Sequence, residues 1–62
     1  MMQIETMNYT FSLPLMEPLT EQPQYRALLA DRWRAVSANI HGANERLLTI
    51  EFHRGKAGLN RA

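Results

Sequence analysis

The chain has no cysteine, which removes thiol nucleophiles, disulfide staples and cysteine-based zinc sites, and fits a reducing compartment. It also lacks an excess of charge of either sign: seven Lys and Arg stand against six Asp and Glu, a net charge of +1. Such a balance argues against electrostatic capture of nucleic acid as a main activity. No apolar run approaches the ~18 residues of a membrane-spanning helix. The opening "MMQIETMNYT" has neither the basic start nor the apolar core of a secretory signal, so the cytoplasm is the expected location. Length is short as well. Sixty-two residues make one domain at most, and a domain of this size buries only ~60% of the surface its unfolded chain exposes. With no disulfide and only two histidines, oligomerisation is the expected source of added stability.

What is present begins with "MNYTFSLPL", where Met7, Tyr9, Phe11 and Leu13 alternate with Asn8, Thr10 and Ser12. This period of two predicts a half-buried strand over 7–13, with 1–6 as an N-terminal extension. "LPLMEPLTEQP" holds all the prolines, and Pro14 and Pro18 exclude regular helix or central strand, so it reads as a loop. Thr20 is a candidate N-cap that places Pro23 in a first helical turn. Tyr25, Leu28, Leu29, Trp33, Val36 and Ile40 then recur at spacings of three and four, which predicts a helix over 20–41 stopped by Gly42. In "NERLLTIEFHRG", Leu47, Ile50 and Arg54 fit one helical face, whereas Leu48, Ile50 and Phe52 alternate with Thr49, Glu51 and His53. The alternation and the residue types favour a strand over 47–53. Residues 55–62 have no period and read as a tail. The expected class is therefore α+β, a single β-α-β unit whose exposed strand edges and bare sheet face are completed by further subunits.

The chain resembles short subunits of the tautomerase superfamily, of the oxalocrotonate-tautomerase and chloroacrylate-dehalogenase type. "LTEQ" (Leu19 to Gln22), the Gly42 turn and "TIEFHRGKAGLN" (Thr49 to Asn60) carry the resemblance. It implies β-α-β protomers assembled as a homo- or hetero-hexamer, a trimer of dimers, with no cofactor. It also implies isomerase chemistry on small unsaturated or keto carboxylic acids through an N-terminal proline amine. Asn8 stands at the place of that proline. The arginine of the loop after the first strand aligns with Pro18, a second arginine with Thr49, and the aromatic residue after the last turn near Asn60. Arg46, Arg54 and Tyr9 are the residues left to bind substrate. The resemblance thus implies a degenerate or non-catalytic subunit packed beside further copies or a proline-bearing sister.

Trp33, as a member of the apolar stripe, and Tyr9 and Phe11 of the strand are expected in the core. His41 and His53 lack partners at ligand spacing, so no metal site is expected. His41 reads as a helix-end residue and His53 as a solvent-facing strand residue. Glu51 and His53, two apart on a strand, share a face and can pair. The alternative reading is a small helical regulator binding protein or DNA. "YRALLADRWRAV" (Tyr25 to Val36) faintly resembles the first helix of PerC-type activators, and 44–54 would form a second helix.

Overall fold

The structure, a computed structural model, describes residues 3–55. Strand β1 (Ile4–Ser12) is followed by a loop with a single 3-10 turn at Leu19–Glu21. Helix α1 (Pro23–Ala30), strand β2 (Arg34–His41) and strand β3 (Leu47–Gly55) follow. Among the described residues the sheet is three-stranded with order β1-β3-β2. Both outer strands run antiparallel to β3, so β1 and β2 run parallel to one another with β3 inserted between them. The fold is α+β with β-α-β elements.

The register decides what each face carries, because directly opposed residues share a face. Met7, Tyr9 and Phe11 lie opposite Phe52, Ile50 and Leu48, and these in turn oppose Ala35, Ala38 and Ile40 of β2. Phe11, Ile50 and Phe52 are the buried centre of this face. Leu15 and Leu19 from the loop, Tyr25 and Leu28 from α1, and Trp33 pack against them. The Tyr25 and Phe52 rings lie 6.0 Å apart.

Three expectations are corrected. The helix expected over 20–41 is two elements, α1 and then β2. Leu28 accepts the Trp33 N–H (3.0 Å) and Leu29 accepts the Arg32 N–H (3.1 Å). This is a Schellman closure, with Arg32 at φ 73° in the left-handed place where glycine is usual. Trp33 and Leu28 both reach the core, the apolar contact that accompanies such a closure. Beyond it, Val36, Ser37, Asn39 and Ile40 are poorer helix formers than the Gln, Arg, Ala and Leu of α1, and 34–41 pairs with β3 instead. Second, the two-strand unit gains a third strand: β2 runs parallel to β1, and the turn at 42–46 reverses the chain before β3, so the strands containing 7–13 and 47–53 are neighbours and antiparallel. Third, the boundaries move: β1 takes in residues 4–6 of the expected extension and ends at Ser12, and β3 continues to Gly55. The rest of the tail, 56–62, lies outside the described residues.

Thr20 falls within the 3-10 turn, and Gln22 precedes Pro23 as the cap of α1 without a side-chain bond. Gly42, expected to stop the helix, instead turns β2 into β3. Its φ is 88°, and a Cβ there would stand 2.9 Å from Leu47 Cδ1.

Candidate functional site

On the face away from α1, the register brings Asn8 opposite Glu51, Thr10 and Asn39 opposite Thr49, Ser37 opposite Glu51, and His41 opposite Leu47. Asn8, Ser37, Asn39, His41, Thr49 and Glu51 line a shallow basin of about 520 Å³. Thr49 stands at its middle. Its Oγ1 is 2.7 Å from Thr10 Oγ1 and 2.7 Å from His41 Nε2. A hydroxyl has one proton and two acceptor lone pairs, so Thr49 donates to at most one of these partners and accepts from at least one.

A second network lies beside it. The Glu51 carboxylate accepts from His53 Nε2 (2.8 Å) on Oε2 and from the Ser37 hydroxyl (3.2 Å) on Oε1. The bond from His53, then that from Ser37, holds the Glu51 carboxyl below its ordinary value of 4.5, against a smaller opposing effect of burial. The basin therefore offers an ionised carboxylate, hydroxyls, carboxamides and an imidazole. These can hydrogen-bond polar groups of a bound partner. Among the described residues no carboxylate or carbonyl hydrogen-bonds His41 Nδ1, the group that would fix its tautomer for base catalysis. No cluster of three His, Asp or Glu side chains among them is placed to hold a metal ion.

The residues singled out from the sequence are dispersed. Asn8 lines the basin. Tyr9 points to the other face, its ring 4.8 Å from Phe11, and lines a separate cleft of about 370 Å³ beside Pro14–Glu17. Arg46 ends the turn before β3, where its carbonyl accepts the Leu13 N–H at 2.7 Å. Arg54 is on the α1 side. Its Nε donates to Glu5 Oε1 (2.8 Å), its Nη1 donates to the carboxylate (2.9 Å) and carbonyl (3.1 Å) of Asp31, and its guanidinium lies 4.3 Å over the Trp33 ring. The bond to Glu5, before all other effects, raises its pKa further. Asn8 therefore shares no site with Arg54 or Tyr9.

Glu51 and His53 form the hydrogen-bonded pair that their spacing suggested. His41, Ser37 and Asn39 were not recognised as basin residues, because the segment that carries them read as helix; the Val, Ser, Asn and Ile content of 36–40 was the available signal. Compared with protein-family models, with curated proteins and with solved structures, the chain matches none.

Proposed function

We propose that the chain is an assembly subunit that joins other strands through the free edge of β2 and presents the polar sheet face as a binding surface. The observation that carries this reading is the exposure of β2 along its whole length, with Val36 at 45% and Ile40 at 55%. An exposed edge with apolar side chains is a template for further strand pairing unless charge, proline or a bulge blunts it. β2 has a cation only at its first residue, Arg34, and no proline. Its one irregularity, between Ala35 and Ser37, leaves 37–41 in regular register with β3.

The tautomerase-type reading is a finer version of the same proposal: a degenerate member of a mixed or homo-hexamer. The β-α-β elements and the place of Asn8 among the basin residues support it. A carboxamide does not titrate near neutrality as the family's amine does, so Asn8 would serve as a hydrogen-bonding residue rather than a base. The helical-regulator alternative needs a helix over 44–54, where the chain forms β3.

Light scattering on the eluting protein tests the assembly. The wild type is expected at a multiple of the 7.2 kDa chain mass. Ile40→Lys, which puts a charge on the edge strand, is expected to fall to a single chain with its circular dichroism retained. A wild type that stays at single-chain mass at every concentration would overturn the proposal.

A further inference from the structure

We infer that β2 pairs antiparallel with β2 of a second copy about a two-fold axis at Asn39, so that each copy's Ser37, Asn39 and His41 complete the other's polar basin. This rests on the assembly proposed above and specifies its partner, register and consequence.

The choice of edge comes first. The sheet has two outer strands, and the segment Pro14–Glu17 shares the lining of a cleft with Tyr9–Ser12 at the end of β1. The end of β1 is thereby flanked by its own chain. Among the described residues β2 has no such cover: every residue from Arg34 to His41 is exposed.

The register follows from the side chains. A self-complementary pairing sets the same patch against itself, and a slip by one residue sends each side chain to the wrong face. Ser37, Asn39 and His41 are on the polar face and Ala38 and Ile40 on the apolar one, as their partners on β3 show. With the axis at Asn39, Ser37 lies opposite His41 of the second copy, Asn39 opposite its counterpart, and Ala38 opposite Ile40, so like faces like throughout. An axis at Ala38 instead sets Ala35 against His41, apolar face against polar, because the bulge at Val36 breaks the alternation between them. With the axis at Asn39, Val36 falls opposite Gly42, which has no side chain to meet the bulge.

Charge agrees with the same axis. Arg34 starts β2, so this pairing brings it to the end of the second copy's β2, where that copy's turn at Ala43–Glu45 carries Glu45. Among the described residues neither the Arg34 guanidinium nor the Glu45 carboxylate has an ion-pair partner within the chain; the Arg pairs present are those of Arg54 with Glu5 and Asp31. Two symmetric Arg34–Glu45 pairs would flank the shared strands. Ser37, Asn39 and His41 line one side of the basin, on a strand that has no further neighbour among the described residues. The second copy adds its own three there, making one polar floor across both sheets.

The chain has no cysteine, so a single introduced thiol reports on a single contact. Asn39→Cys is expected to oxidise to a covalent dimer at concentrations where Thr6→Cys, on the same face of the far strand β1, stays single. Arg34→Glu is expected to weaken association about tenfold, from the loss and reversal of two exposed pairs, and adding Glu45→Arg is expected to restore it. Circular dichroism of each variant checks folding. If the wild type assembles but Asn39→Cys does not cross-link in preference to Thr6→Cys, or Glu45→Arg fails to rescue, this register is wrong while the assembly stands. If the wild type does not assemble, both fall.

Discussion

Two side chains of β3 organise opposite faces of the sheet. Arg54 ties β1 through Glu5 to the end of α1 through Asp31, stacked on Trp33. Thr49 links Thr10 of β1 to His41 of β2 across the basin. Beside Thr49, Glu51 couples this face to pH. Its folded pKa lies below the ordinary 4.5, so an unfolded chain takes up the proton first as pH falls. The stabilisation is complete above that ordinary value and is lost as pH falls through the lower folded one. Glu51→Gln removes the carboxylate. The wild type is expected to exceed this variant in urea-unfolding midpoint at neutral pH, and the gap should close below pH 4.5. A gap independent of pH would show that the carboxylate's bonds to His53 and Ser37 do not stabilise the fold.

At the scale of elements, β1 and β3 were legible as alternating segments, and β2 was not. The reason is physical. The residues that β2 turns to the apolar face are Ala35, Ala38 and Ile40; the bulge at Val36 stretches the first interval from two to three. Val36 and Ile40 also extend the spacing of Tyr25, Leu28 and Trp33, so a strand followed a helix without any break in the apolar rhythm. Nor did a glycine mark the junction, because Arg32 occupies the left-handed position itself. Only part of the site was therefore readable: Asn8 as an outward residue and Glu51 with His53 as a pair, but not the half contributed by β2. Arg32→Gly separates the two readings by sign. Relieving a left-handed non-glycine residue should stabilise the fold by about 1 kcal/mol, whereas glycine inside a continuous helix costs about 1 kcal/mol. A rise in the urea midpoint is expected, and a fall of that size would favour the continuous helix.

At the scale of the whole molecule, the buried centre is small: Phe11, Ile50 and Phe52. The apolar face extends beyond it onto β2, where Val36 and Ile40 meet solvent, as does Leu29 of α1. A chain of this length has little stability to spare, and a partner at β2 adds backbone pairing and shields apolar surface together. The most direct measurement is amide hydrogen exchange over 37–41 at increasing protein concentration. Bonds to β3 protect alternate amides at any concentration; the others point to the free edge. Those outward amides are expected to become protected as concentration rises, and free exchange at every concentration would contradict pairing through β2.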